Sequence, residues 1–389
     1  MIYYFAILSS LFLLHFFAND CSVLFKKIVT VICALFYCTS YMNGSDWRSY
    51  ETIYDFLTLN FSDYNPLIHL EIGFYSLQFL FNYVGVGFWS FFIAIKFICF
   101  LVFSKVIYSF SAKMYFLNLA CFLSFFGLYL FIDAPLRSVI AIAVFLLSLN
   151  YLMNKRIIMF FLTVFIGSLF HGASIFLVVL YFVVYREYKT TTLIVGFVAI
   201  NLAVALLMPV IIGALGFLLG NISFLSSKVE NYIENKSEFG LTSSFLSLGY
   251  LIRVILFIVM IKLRSVIENI FGRIYFNLIM IYFFTYVLAL GFSVFYRINL
   301  YFSVFFVLAF CCSIFLVQSK LKLGSLLFFT IYCFLNTFLI VTHDYKYVPY
   351  TSYLNYIFEE KPSFYYRSNY NYKHSPFTNP EDMKKTEDI

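Results

Sequence analysis

Apolar runs of about 20 residues, each enough to cross about 30 Å of hydrocarbon as a helix, recur from one end of this chain to the other. A helix in a soluble core shows a single apolar stripe. These runs are apolar on every face, and across 389 residues 63% are hydrophobic against 12% charged. With a mean hydropathy of +0.91, the expected fold class is all-α, a polytopic transmembrane helical bundle with about 10–12 membrane segments.

Hydropathy places spans near 2–18, 28–42, 88–110, 115–132, 136–153, 191–216, 245–263, 274–292, 298–317 and 323–341. The stretch 157–185 is too long for one span and is basic at both ends, with Lys155 and Arg156 before it and Arg186 and Lys189 after. A hairpin turning near His171–Gly172 puts both ends on one side. The basic groups Lys26/Lys27, Lys105/Lys113, Lys155/Arg156, Arg186/Lys189, Lys262/Arg264/Arg273 and Lys320/Lys322 then all fall on the cytoplasmic face. The net charge of +7 is thus a topology signal, and no nucleic-acid partner is expected. The opposite face collects outer loops near 43–66, 133–137 and 218–244. A membrane domain over 1–342 is followed by a polar, Tyr-rich tail over 343–389, whose last dozen residues read as disordered.

The first segment has neither a basic n-region nor a small-residue cleavage site, so a retained helix is expected. Eight cysteines mostly lie in apolar runs without a C-x-x-C pair, and neither disulfides nor a metal is expected. Walker, Rossmann and G-x-S-x-G patterns are missing, which argues against nucleotide-dependent chemistry and gives an expectation of no cofactor.

The unusual polar residues gather on the outer face. Arg137 follows Asp133-Ala134-Pro135, a helix start in which Pro suits the first turn and Asp can cap. A cation there opposes both the helix dipole and the positive-inside bias, and an anionic phosphate would offset both costs. A lipid headgroup or a salt bridge to Asp133 is the plainer alternative. Arg297, between two apolar spans, needs an anionic partner, either a carboxylate of the same chain or a diphosphate. Lys96, inside a span, reads more as a snorkelling side chain than as part of that cavity.

In the first outer loop Ser45 can cap a helix on which Asp46, Tyr50 and Tyr54 share one face, a surface suited to sugar hydroxyls and rings, or merely an ordinary loop helix. Glu71 opens an apolar helix, as a ligand contact or a dipole partner. His171 is flanked by small residues that allow close helix approach, and serves either as a base or proton relay or as a hydrogen-bonded structural group.

Taken in order, Gly44-Ser45-Asp46 with Tyr50 and Tyr54, Glu71-Ile72-Gly73-Phe74, Arg137 leading into Ile140-Ala141, Ser168-Leu169-Phe170-His171-Gly172-Ala173-Ser174 and Arg297 before a Tyr-Phe span resemble the EpsG-like branch of the Wzy polysaccharide polymerases. The stretch 38–43 lacks the arginine that many relatives carry there, a place Arg48 could fill. The resemblance implies a metal-independent glycosyltransferase of the bacterial inner membrane, its active site facing the periplasm, in O-antigen or capsule synthesis. It would move a growing glycan from undecaprenyl diphosphate to an incoming lipid-linked repeat unit. Under it, Arg137 and Arg297 bind diphosphate, His171 or Asp46 deprotonates the acceptor, and Arg48, Tyr50, Tyr54 and Glu71 bind substrate, the tyrosines at the sugars. The implied partners are the undecaprenyl-diphosphate-linked oligosaccharide, the lipid bilayer and a chain-length regulator. The rival readings are a flippase or transporter for the same lipid, an O-antigen ligase and an acyltransferase acting on surface sugars. Against the flippase, the chain has no two-half repeat, and against the acyltransferase it has no acyl-donor motif.

Overall fold

The computed structural model describes residues 1–18, 20–55, 71–219, 247–291, 294–315 and 319–378. Of the outer loops expected near 43–66 and 218–244, residues 56–66 and 220–244 lie outside the described residues, as does the end of the tail from 379. The architecture is all-α. In chain order the helices are α1 (Ile2–Phe17), α2 (Val23–Cys38), α3 (Trp47–Asp55), α4 (Ile72–Tyr83), α5 (Phe88–Phe110), α6 (Tyr115–Phe122), α7 (Leu136–Met153) and α8 (Ile157–Phe170). They continue with α9 (Leu180–Val183), α10 (Thr190–Leu219), α11 (Leu248–Lys262), α12 (Arg264–Phe271), α13 (Arg273–Gly291), α14 (Val294–Leu300), α15 (Ser303–Phe315), α16 (Ser319–His343) and α17 (Phe364–His374).

Among the described residues, five helices are long and apolar enough to cross a membrane: Phe88–Phe110, Tyr115–Asp133, Leu136–Met153, Arg273–Gly291 and Leu323–His343. Shorter apolar helices accompany them at Ile2–Phe17, Ile157–Phe170, Gly172–Val183, Thr190–Leu206 and Ser303–Ile314. The chain is a multi-pass membrane protein.

The chain divides into two compact units. The first comprises Met1–Asn150, Met159–Gly172 and Gln318–Ile389; the second comprises Tyr151–Ile158 and Ala173–Val317. In the first unit α6 runs on into a π-helical stretch, Leu123–Asp133, and together they form the core, 94% buried. Helices α1, α2, α5 and α16 pack around them. The wide turns of a π-helix offer carbonyls that an α-helix would occupy, and the Ser124 carbonyl accepts a hydrogen bond from Asn336 at 2.8 Å. The stretch closes when the Ala134 N–H reaches back to the Tyr129 carbonyl, with Ala134 left-handed at φ 54°. That closure leaves the Asp133 side chain at the helix end.

The tail is not a loose appendage over its described length. Residues 39–44 and 346–353 zip together: the Tyr353 N–H donates to the Thr39 carbonyl, Tyr41 to Thr351, and Gly44 to Lys346, at 2.7, 2.9 and 3.0 Å. Asn43 completes the pairing, its Nδ2 donating to the Pro349 carbonyl and its Oδ1 accepting from the Thr351 N–H. The span expected over 28–42 is correspondingly displaced. It starts earlier, at Val23, where Ser22 caps the Phe25 N–H, and ends at Cys38, where the backbone leaves the helix to pair with the tail.

In the second unit α13 is central, packed by α10, α12, α14 and α15. The long segment 157–185 breaks at His171, and its far end comes back to its start: the Tyr185 hydroxyl donates to the Leu152 carbonyl, and the Lys155 ammonium lies 5.7 Å over the Tyr185 ring. Asn277 on α13 holds that end, donating to the carbonyls of Val184 and Arg186 at 2.7 and 2.9 Å.

Candidate functional site

The site begins with a close approach that only glycine permits. Gly44 has φ +80°, and a Cβ there would lie 2.5 Å from the Ile132 carbonyl oxygen and 2.6 Å from Asp133 Cα. The first loop therefore passes directly against the end of the π-helical stretch. One residue on, the Ser45 amide and hydroxyl both donate to Asp133 Oδ1 at 2.7 Å. The Lys346 ammonium holds Oδ2 at 2.9 Å and reaches Asp344 at the same distance. Asp133, expected as a helix cap or a partner for Arg137, is instead the post to which loop and tail are tied. Ser45, expected as a helix cap, donates its hydroxyl to that post.

This fastening sets the position of Asp46 and, at the start of α3, of Tyr50, whose hydroxyl donates to Asp46 Oδ2 at 3.1 Å. Asp46 is half-buried. Burial first, and then the nearby Asp133 carboxylate, push its carboxyl up to about 6, against the opposing pull of Tyr50, Arg137 and Lys346. Burial and the Asp46 charge raise the Tyr50 hydroxyl well above its ordinary range, so it stays a donor.

Arg137, in the first turn of α7, donates from NH1 to Glu71 Oε2 at 2.6 Å and lies 6.0 Å over the Tyr50 ring. Glu71 is the N-cap of α4. A second glycine brings it to the histidine: a Cβ on Gly73 would sit 2.7 Å from the Leu169 carbonyl oxygen, so α4 and α8 meet backbone to backbone. His171, just past the end of α8, then presents Nδ1 3.5 Å from Glu71 Oε1. The Gly172 N–H points at the same oxygen at 3.5 Å. Burial alone would raise the Glu71 carboxyl, but His171 and Arg137 outweigh it and hold the group at about 2.

Asp46, Tyr50, Glu71, Arg137 and His171, read from four separate segments of sequence, are thus one cluster. Two of its donors are conspicuous. The Nε of Arg137 and the Nε2 of His171, whose Nδ1 faces Glu71, are buried without a hydrogen-bond partner, a costly state for polar atoms that a polar ligand between them would relieve.

The remaining expected residues lie elsewhere. Tyr54 is buried, donates its hydroxyl to the Val86 carbonyl at 2.5 Å and stacks on Phe91, so it forms part of the wall around α3. Arg48 is half-buried, with its guanidinium 5.9 Å over Trp47. Arg297 is in the last turn of α14, in the second unit. Lys96 does not snorkel: it is fully buried, donating to Ser40 Oγ and the Phe131 carbonyl, both at 3.1 Å, and so fastens α5 to the loop and to the π-helical end. Sequence reasoning missed Lys346, whose only signal is an acid–base pair, Asp344 and Lys346, directly after an apolar span. It also missed Glu51, buried between Trp89 Nε1 at 3.0 Å and Arg367 at 2.5 Å.

A polytopic helical membrane protein with an arginine, a histidine and carboxylates gathered where its helices end is the class that fold and site define. The chain belongs to the EpsG family, whose sequence model matches residues 23–352 and so takes in every member of the cluster, Lys346 included. That family is linked to exopolysaccharide synthesis. No curated protein and no solved structure matches the chain significantly.

Proposed function

We propose that the chain polymerises lipid-linked oligosaccharides, moving a growing glycan from undecaprenyl diphosphate to an incoming lipid-linked repeat unit. The observation that carries this reading is the cluster itself: Arg137 Nε and His171 Nε2, both buried without a hydrogen-bond partner, beside a carboxylate raised to about 6. A donor sugar diphosphate brings its own leaving group, so the protein has three tasks. It must receive the developing negative charge, remove the acceptor proton and hold the two substrates in line.

In this reading the ionised Asp46 takes the proton from the acceptor hydroxyl. The acceptor oxygen bonds to the anomeric carbon, the bond from that carbon to the diphosphate oxygen breaks, and the lipid diphosphate departs with the electron pair. A carboxyl at about 6 suits this role, being mostly ionised at neutral pH while keeping the basicity to accept a proton. Arg137 receives the diphosphate through Nε, with NH1 kept in place by Glu71. His171 donates a hydrogen bond to the same group, and the Tyr50 ring and hydroxyl bound the sugar side. Arg48 and Arg297 are assigned to substrate and diphosphate contacts, as the family resemblance implies. The basic loops expected on the opposite face support a periplasmic position for the cluster in a bacterial inner membrane, where a chain-length regulator would be a partner.

The test is the gel profile of surface polysaccharide from a strain lacking the chain, complemented with the unaltered protein or with Arg137→Ala. The expected outcome is a core carrying a single repeat unit, with the ladder restored only by the unaltered protein and with equal amounts of both proteins in the membrane. Loss of every glycan-bearing band points instead to flipping or ligation, and a normal ladder from Arg137→Ala removes the site assignment.

A further inference from the structure

The N-terminal end of α2 and the C-terminal half of α5 enclose a cavity of about 480 Å³, at the opposite ends of these helices from Cys38 and Trp89. Its inner side is polar and buried. The Lys26 ammonium is there, with the Ala112 carbonyl as acceptor at 2.7 Å, and the Tyr115 hydroxyl bridges Thr30 and Ser104 at 2.5 and 2.6 Å. The outer side carries Lys27 and Lys105, both exposed, among Val23, Val31 and Leu101, which are 54%, 39% and 38% exposed. None of the three lysines forms an ion pair among the described residues.

Three ammonium groups on one cavity, one of them buried, concentrate positive charge beside an apolar mouth. A buried charge without a counter-ion is unfavourable. An anion in the cavity lowers that cost, and apolar side chains exposed at its mouth suit an occupant that is itself half apolar. The same two helices belong to a membrane bundle, α5 being long enough to cross, so this end meets a headgroup layer. Lysines at that depth attract anionic headgroups.

We propose that this cavity is a binding site for an anionic phospholipid. The phosphate is held by Lys26, Lys27 and Lys105, and the start of an acyl chain lies along Val23, Val31 and Leu101. The site is separate from the glycan cluster, does not rest on the polymerase reading, and its test involves no glycan.

The experiment is native mass spectrometry of the full chain in detergent, titrated with phosphatidylglycerol, phosphatidylcholine or inorganic phosphate. The chain should retain one phosphatidylglycerol in preference to phosphatidylcholine. The double variant Lys27→Gln/Lys105→Gln changes only exposed side chains and should weaken that retention about tenfold or more, two lysine contributions taken together. Lys262→Gln, in the last turn of α11, should leave it unchanged. Equal retention of the two lipids, or undiminished retention by the double variant, overturns the proposal. An equal loss in Lys262→Gln does so too, by reducing the effect to general surface charge. Inorganic phosphate binding as tightly as phosphatidylglycerol overturns the lipid assignment in favour of a free phosphate site.

Discussion

Asp46 and Glu71 are both carboxylates beside Arg137, yet their surroundings drive them apart, one up to about 6 and the other down to about 2. Their titrations therefore cannot be confused in a pH profile. Glu71 remains ionised until the pH falls towards 2, so its ion pair with Arg137 persists through the physiological range. If Asp46 is the base, polymer synthesis in membrane preparations should fall as the pH drops through about 6, because protonation removes the base. Lys346 offers a second handle. It neutralises Asp133, the charge that raises Asp46, and also attracts the Asp46 carboxylate directly. Lys346→Met should move the acidic limb of the profile to higher pH with the protein still present in the membrane; an unmoved limb would take the titration away from Asp46. At Arg137 the geometry separates charge from shape. NH1 is engaged by Glu71 while Nε is buried without a partner, so Arg137→Lys keeps the charge but lacks the second donor position. We expect it to lower polymer yield about tenfold or more, the scale of one lost charge-assisted hydrogen bond.

Among the elements, the helical spans were legible in the sequence because lipid demands apolar residues on every face, a signal that needs no knowledge of the neighbours. The turn at His171–Gly172 was legible for a similar reason, since basic residues at both ends of 157–185 require a return. Cluster membership was visible for Asp46, Tyr50, Glu71, Arg137 and His171, each a polar residue at a helix end where lipid packing gives it no purpose. Their pairings were not visible. The Arg137 partner turned out to be Glu71 instead of Asp133, because the π-helical stretch turns Asp133 towards the first loop, and no apolar period announces a π-helix. The displaced end of α2 likewise follows from the tail, a partner more than 300 residues away. Two glycines test the fastening. Gly44 and Gly85 share φ +80°, but a Cβ at Gly44 meets backbone at 2.5 Å and one at Gly85 meets nothing within 4 Å. Gly85→Ala should thus show only the strain of a left-handed alanine, about 1 kcal/mol. Gly44→Ala should add a displacement of the loop from Asp133 and lose polymer synthesis, with the difference read as a lower midpoint of thermal unfolding in detergent.

At the scale of the whole molecule, the first unit is assembled from both ends of the chain, with the second unit inserted between its parts. The described tail completes it through two charged contacts, Lys346 with Asp133 and Arg367 with Glu51. The second pair is buried, 8% and 7% exposed on its two side chains, and the Arg367 guanidinium sits 5.4 Å over Trp47 and 5.9 Å over both Tyr41 and Trp89. A pair so enclosed contributes little net stability when intact, since desolvation offsets much of the attraction. Breaking it from one side leaves an uncompensated charge and costs about 3–5 kcal/mol. Arg367→Met should consequently lower the unfolding midpoint of the purified protein, because Glu51 keeps its hydrogen bond from Trp89 but loses its cation. Adding Glu51→Gln removes the stranded charge and preserves an acceptor for Trp89, so the double variant should be more stable than Arg367→Met alone. Destabilisations that simply added would mean that Arg367 acts through its packing on the aromatic rings. Partial recovery in the double variant would make the ion pair the fastening between the last described helix and the first loop.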